Sequence, residues 1–392
     1  MRIGMILDAP FPTDPRVSNE ADALIQAGHE VFLFCLSYSK NFVENEILNK
    51  VKIRRYYCSN LTYKLSALAY TFPFYKNIMC KKIKHFINHN HIDSLHIHDI
   101  QIASSVFKAN KIKIPITLDL HENRPEIMRY YKHVNSPLGR MLISPQNWKK
   151  NEERYCKLSD KIVVVTDAAK NELANRLLID KNKITVYPNT VKKDFYKDFK
   201  INQEIVNKFS KNFVLLYLGN TSKRRGLDTV IKSLNKLSIK IPNIKLVIVG
   251  SSSYDNELKK MSMNYNCYDL ISFEGWKDES EFASYLSVAD LGISPLHSNI
   301  HHDTTYANKI FQYMSFGCPL ICSDVTAQKN IIEKFNVGSV FKSGDEIDFE
   351  KIVSKLFKNE HKRKSLGDNC IDAIEKHLNN EVVSKEFVKM YG

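Results

Sequence analysis

From Ile47 to Ile92 the chain contains no aspartate or glutamate. The same stretch holds nine cations: Lys50, Lys52, Arg54, Arg55, Lys64, Lys76, Lys81, Lys82 and Lys84. The net charge of the 392 residues is +14, so this block carries +9 and the rest of the chain only +5. Such an excess excludes an acidic solvating protein and points to an anionic partner: nucleotide, nucleic acid or membrane surface.

Other absences narrow the class further. No run reaches the 18 or so apolar residues that span a bilayer. The opening Met1–Leu7 lacks the longer apolar stretch and small-residue cleavage site of a signal peptide. There is no short-period repeat and no low-complexity tail. The eight cysteines are scattered, and Cys35, Cys318 and Cys322 sit in apolar runs. They read as reduced, buried small hydrophobes of a cytoplasmic protein. Cys318 and Cys322 have no two further ligands at the spacing a zinc site needs.

What is present is a soluble globular composition, 43% hydrophobic and 26% charged. The length exceeds one ordinary core and implies two or three domains. Short β-rich runs alternate with helical patterns. Ile3–Leu7, Val31–Leu36, Val51–Tyr57, Leu95–His98, Ile116–Asp119 and Lys161–Thr166 read as strands, and Val17–Ala27 as a helix ended by Gly28. Several of these runs are continuously apolar, as parallel strands buried on both faces are. The pattern restarts at Phe213–Gly219 and continues through Leu246–Gly250, Leu270–Phe273, Leu291–Ser294, Pro319–Cys322 and Ser339–Phe341. The expected architecture is α/β, two tandem doubly wound, Rossmann-like domains facing across a cleft. The expected boundaries are 1–190 for the first Rossmann-like domain, 191–211 for a linker, 212–370 for the second, and 371–392 for a closing helix packing back toward the first domain.

Ligands of such sheets bind at the carboxyl ends of the strands, so the loops there are the candidates. Gly219–Gly226 lies between a strand and a helix. Arg224 and Arg225 precede that helix, a combination suited to a diphosphate; the alternative is a solvated basic loop. In Asp303–Asp324, Ile310, Phe311 and Met314 mark an apolar helical face and Gly317 fits its end. Lys309 and Gln312, three apart, lie on one side of it. Gln312 can donate and accept, which suits a ribose diol; the alternative is an ordinary amphipathic helix.

This stretch, with Leu291–Leu296 before it, resembles the donor-site signature of the family 4 glycosyltransferases, which have the GT-B fold. Asp14-Pro15-Arg16-Val17 with Glu20 and Gly28-His29-Glu30-Val31 resembles the family's N-terminal loop, helix and second strand. Leu95–Asp99 and Leu118–Glu122 resemble its acceptor-side strands, Tyr187-Pro188-Asn189 its linker, and Phe273–Trp276 its base-binding loop. The resemblance spans about residues 1–340 in the family's order.

It implies a retaining transferase moving a sugar from a nucleotide diphosphate to a glycan or lipid-linked acceptor, in bacterial surface polysaccharide synthesis. It implies His121 and Asp303 as catalytic residues. The donor would meet Gly219, Asn220, Arg224, Arg225, Gly275, Trp276, Thr304, Asn308, Lys309, Ile310 and Gln312; the acceptor side would hold Arg16, Asp99 and Glu122. Alone, His121 also reads as a satisfied histidine at a strand end. The chain departs from the family where two acidic residues flank the donor helix: here stand Thr304 and Gln312, with Asp303 one place off. Asn220 replaces a basic residue after the glycine, and Arg225 the usual lysine.

No Asp-x-Asp triplet occurs, so no catalytic metal and no cofactor beyond the donor are expected. The histidines His85, His89, His91, His96 and His98 run from a helix end into a strand and should diverge. Leu61–Ile87 sets Tyr63, Tyr70, Phe72, Phe74, Tyr75 and Phe86 among lysines. It fits either an interfacial segment on an anionic membrane or a core helix with a basic solvent face. No nucleic-acid motif accompanies the charge, so no nucleic-acid partner is expected. The expected place is the cytoplasm, or the inner face of the cell membrane as a peripheral protein. The alternatives are a sugar-nucleotide epimerase of similar fold and a non-catalytic nucleotide-sugar or anionic-surface binding protein.

Overall fold

The computed structural model describes residues 1–193, 195 and 199–392; within the expected linker, residues 194 and 196–198 lie outside the described residues. The chain forms two compact units, Met1–Asn189 with Val383–Gly392, and Thr190–Val382.

Unit 1 is built on eight strands: β1 (Arg2–Ile6), β2 (Glu30–Ser37), β3 (Asn45–Leu48), β4 (Val51–Tyr57), β5 (Ser94–His98), β6 (Ile116–Leu120), β7 (Lys161–Val164) and β8 (Ile184–Val186). They lie in the order β3-β4-β2-β1-β5-β6-β7-β8, parallel except for the β3–β4 hairpin. The order reverses at β1, so the gap between the carboxyl ends of β1 and β5 is a topological switch point. The continuous apolar runs are explained by burial on both faces: Ile3, Met5, Leu33, Leu95, Ile97 and Leu118 are all fully enclosed.

Unit 2 repeats the plan with six parallel strands: β9 (Phe213–Leu218), β10 (Ile244–Val249), β11 (Ile271–Gly275), β12 (Leu291–Ser294), β13 (Leu320–Ser323) and β14 (Gly338–Phe341). Their order is β11-β10-β9-β12-β13-β14, with the switch point between β9 and β12. The two Rossmann-like sheets agree with the architecture expected from sequence.

Three features differ from expectation. The closing segment is not one helix: Glu360–Lys376 ends, and a second helix, Asn380–Val388, begins. Asn379 makes the break. Its buried amide donates to the carbonyls of Ile374 and Glu375, and its side-chain oxygen accepts from the Val382 amide, so it caps both helix ends. The polar stretch placed in the linker holds a helix of its own, Gln203–Phe209, which buries Phe209. Finally, the acid-free block is less charged than its composition suggests. Lys52 pairs with Glu30, Arg54 with Glu44 and Arg55 with Glu46, all acids from outside the block.

The aromatic stretch divides between its two readings. The helix Phe74–Asn90 buries Tyr75, Met79, Ile83, Phe86 and Ile87, as a core helix does. Leu61, Tyr63, Phe72 and Phe74 stay exposed. All eight thiols are free, seven of them buried. Among the described residues no helix is long and apolar enough to cross a membrane.

Candidate functional site

In unit 2 three neighbouring strands end in glycine loops. Gly219 follows β9, Gly250 follows β10 and Gly275 ends β11. Gly250 has φ +135°, and a Cβ there would sit 2.0 Å from the Gly219 carbonyl oxygen. Gly226, with φ +76°, would put a Cβ 1.7 Å from the Pro295 carbonyl. Only glycine lets these backbones approach, and the approach sets the width of the cradle after β9. The loop is tied from within: the Tyr217 hydroxyl donates to the Asn220 carbonyl at 2.6 Å, and Asn220 Oδ1 accepts from the Ser222 amide at 2.9 Å.

Lys309 lies under this loop. Its Nζ is 3.9 Å from where a Gly219 Cβ would be and 3.3 Å from the centroid of the Tyr217 ring. The side chain is buried, and among the described residues its ammonium has no hydrogen-bond partner. Burial, and then the nearby Arg225 guanidinium, hold its pKa well below the usual lysine range. Arg225 also has a buried Nε without a hydrogen-bond partner among the described residues. A buried ammonium without a counter-ion is costly unless an anion answers it or it loses its proton.

Arg224 turns elsewhere. Its Nη1 lies 3.1 Å from His302 Nε2, while His302 Nδ1 is 2.7 Å from the His297 carbonyl. An imidazole that donates from Nδ1 and accepts at Nε2 is neutral. Burial, with Arg225 and Arg224 adding to it against the His297 carbonyl, pushes His302 down to about 3. His302 and His297 were not singled out from sequence, since neither matches a motif.

The other expected donor residues are distributed as follows. Gln312 donates from Nε2 to Glu279 at 2.9 Å, so a carboxylate from the loop after β11 stands beside it. Trp276 is exposed and Asn308 precedes the helix Lys309–Ser315. Ile310 is fully enclosed in the core and offers no surface to a ligand. Thr304 donates to the Ile300 carbonyl, back into its own helix. Asp303, expected as a catalytic carboxylate, accepts from the amide and hydroxyl of Thr326 at 2.8 and 3.0 Å. It accepts at the exposed start of the helix Thr326–Phe335, and among the described residues it forms no ion pair with Lys309 or Arg225.

In unit 1 the carboxyl ends of β5 and β6 meet the helix Pro15–Gln26. Arg16 and Glu20, four apart, share one side of that helix, and their groups are 3.1 Å apart. Arg16 grips Asp119 on β6 through Nε at 2.8 Å and Nη2 at 2.5 Å, and its Nη1 donates to Tyr187 O and Asn189 Oδ1. His96 and His98, two apart on β5, face the same side of the sheet, with ring centroids 4.6 Å apart. His96 Nε2 is 3.0 Å from Glu20 Oε2, and His96 Nδ1 is 2.6 Å from the Tyr391 hydroxyl. The histidines therefore separate into groups, but not singly: His85 stacks on His89 along one helix, while His96 and His98 converge. The strand period of two brings the latter together.

His121, just after β6, closes this network at its outer edge. Its Nε2 is 2.9 Å from Asp119 Oδ2, and its Nδ1 is 3.6 Å from Asp14 Oδ2. Burial alone would lower its pKa, but the Asp119 carboxylate outweighs this and raises it to about 9. Burial likewise opposes ionisation of Asp119, yet Arg16 and His121 hold it well below the usual carboxylate range. Burial and the Asp119 charge raise Glu20. Glu20, His96, His98 and Asp119 offer ligand atoms within 4.8 Å of one another and could hold a metal ion. Arg16 already supplies the positive charge that their carboxylates call for.

The expected acceptor-side residues fall into two sets. Arg16 is enclosed in the network above. Asp99 and Glu122 meet at Arg124, 3.7 Å from its Nε and 2.9 Å from its Nη1 respectively. Asp8, which follows β1 at the switch point, belongs with them and was missed. It accepts from the Tyr75 hydroxyl at 3.0 Å, and burial raises it to about 6. Its place just past an apolar strand was the available signal.

Comparisons with known proteins bear on this geometry. The model described as Glycosyltransferase Family 4 matches residues 16–195, and the model described as Glycosyl transferases group 1 matches residues 198–372. The capsular polysaccharide biosynthesis glycosyltransferase CapM of Staphylococcus aureus is 22% identical over 242 residues. That match covers 59% of this chain and only 61% of the relative. Sucrose-phosphate synthase from Thermosynechococcus elongatus superposes with a TM-score of 0.77 at 16% identity, covering 100% of this chain and 98% of that one. Anabaena HepE in complex with UDP superposes with a TM-score of 0.71 at 12% identity, covering 100% and 99%. These likenesses establish the GT-B fold.

Proposed function

The chain belongs to family 4 of the glycosyltransferases, and from that premise we propose that it is a retaining transferase using a nucleotide diphosphate sugar. The observation that carries the reading is Lys309: a buried ammonium without a hydrogen-bond partner among the described residues, under the Gly219 loop and beside Arg225. That arrangement favours an anion brought from outside, and the diphosphate of a donor fits it. The UDP held by HepE, a protein of the same fold, supports a nucleotide there.

In the proposed reaction the bond from the sugar's anomeric carbon to the diphosphate oxygen breaks. An acceptor hydroxyl bonds that carbon from the same face, and its proton leaves with the diphosphate. Arg225 and Lys309 meet the charge that develops on the leaving oxygens, so no divalent ion is required. Arg224, held by His302, adds to the field. Gln312, with Glu279 behind it, takes the ribose, and Gly275 and Trp276 border the base. To unit 1 we assign the acceptor, with His121 as a cationic hydrogen-bond donor. The acceptor is a glycan or a lipid-linked glycan in surface polysaccharide synthesis, a role in keeping with the capsular relative. The protein works in the cytoplasm, with the basic part of residues 47–92 toward an anionic membrane.

A panel of UDP, GDP, CMP and dTDP sugars tests this. Slow release of the nucleotide from one donor, lost in Arg225→Ala and Lys309→Ala, is the expected result. Interconversion of the sugar without release would mark an epimerase. Failure of every donor to bind or react would overturn the reading.

A further inference from the structure

Unit 1 has a second stretch without acid. From Ile127 to Asn151 there is no aspartate or glutamate, and Arg129, Lys132, Arg140, Lys149 and Lys150 lie within it. Arg129 and Lys149 are answered by Glu126. Far apart in sequence, this stretch and the earlier acid-free block meet in space. The Thr71 hydroxyl donates to the Leu142 carbonyl at 2.7 Å, and the Tyr70 ring packs edge-on against Trp148 at 5.0 Å.

Both segments leave large apolar side chains in water. Leu61 is 69% exposed and Phe74 58% on one segment, which also exposes Tyr63 and Phe72. Leu138 is 61% exposed and Met141 74% on the other. Phe72 and Met141 each stand one residue from the Thr71–Leu142 hydrogen bond. A single exposed leucine needs no explanation, but a group of them framed by cations in two segments lacking carboxylates does. Leu61 and Tyr63 lie on one short helix, Asn60–Ser66, Leu138 and Met141 on another, Pro137–Leu142, and Phe74 only opens its helix. Such elements can enter only the interfacial layer of a bilayer. A bilayer asks for no matched shape, only protruding apolar groups and nearby cations, and the missing carboxylates remove repulsion from anionic headgroups.

We infer that unit 1 docks on an anionic phospholipid bilayer through both segments together. Leu61, Phe72, Phe74, Leu138 and Met141 enter the boundary between headgroups and acyl chains. Lys64, Lys76 and Arg140 face the lipid phosphates. The inference rests on the membrane reading above and deepens it, because the second segment supplies the most exposed of these apolar side chains.

Flotation of the full chain with vesicles tests it, comparing phosphatidylcholine alone with equal parts phosphatidylcholine and phosphatidylglycerol. Wild type is expected to float with the mixed vesicles only. Leu138→Glu with Met141→Glu should weaken that binding about tenfold or more, with unchanged melting and unchanged donor hydrolysis in free solution. Should the double variant melt lower, Arg140→Glu at its exposed position should show a loss in the same direction. Binding unaffected by these changes but lost in Phe72→Glu with Phe74→Glu would overturn the two-segment surface. Equal flotation with both vesicle types would overturn the role of charge. A wild type that releases nucleotide from its donor yet ignores both vesicles would sink the docking surface and leave the transferase reading standing.

Discussion

His121 Nε2 lies 2.9 Å from Asp119 Oδ2, and of this pair only the histidine reaches the surface. The ring is thus a cation between a buried carboxylate and the more exposed Asp14. Its pKa is raised from 6.5 to about 9. A raised folded-state value gives stability that is complete below the unfolded pKa and lost as pH climbs through the folded one. Unfolding free energy should therefore fall by about 2–3 kcal/mol as pH rises through this window, after allowing for the partial exposure of the ring. Urea unfolding at its two ends would show this, and His121→Gln should flatten the profile. A ring that titrates near 6.5 by NMR would remove the ion pair from the account.

Lys309 makes an opposite prediction about protons. Its free-state pKa is depressed by burial and by Arg225. A bound diphosphate would restore the charged form, so binding UDP at mildly alkaline pH should take up a proton. Calorimetry in buffers of different ionisation enthalpy measures that uptake. Lys309→Met should abolish it and weaken binding about tenfold or more. Binding without any proton uptake would show that Lys309 is already charged, or is remote from the ligand.

Gly226 is held at φ +76° with the Pro295 carbonyl where a Cβ would stand. Gly226→Ala adds both backbone strain and a clash with backbone atoms that cannot swing away. We expect a loss of about 3 kcal/mol or more in chemical denaturation. Gly275→Ala, also at positive φ but with open space around it, should cost less. Equal losses at the two positions would mean that the close approach to Pro295 is unimportant.

Asp303 separates a structural from a catalytic carboxylate. Its bonds to Thr326 predict that Asp303→Ala lowers stability by about 1 kcal/mol, as loss of a cap does, with turnover nearly unchanged. A large fall in kcat at unchanged melting temperature would instead return Asp303 to the chemistry.

Much of the fold was legible along the chain because it rests on local pattern. The runs at Val51–Tyr57 and Leu291–Ser294 coincide with β4 and β12, and Phe213–Gly219 exceeds β9 by one residue. A strand buried on both faces writes itself as a continuous apolar run. The break at Asn379 was not legible, since a polar residue in a helical pattern reads equally well as part of the helix. Nor was the protonation of Asp8, whose pKa is raised by burial among residues distant in sequence.

By itself the sequence determined the two α/β units, the strands that open each loop, and the glycines that let those loops turn, because apolar periodicity and positive-φ positions are properties of short segments. Only the tertiary structure decided which side chains meet. It gave Arg224 to His302, Gln312 to Glu279, Asp303 to Thr326 and the basic block's arginines to Glu44 and Glu46. Each of these pairs depends on the lateral order of strands and the path of loops, and a charge count along the chain carries no record of either.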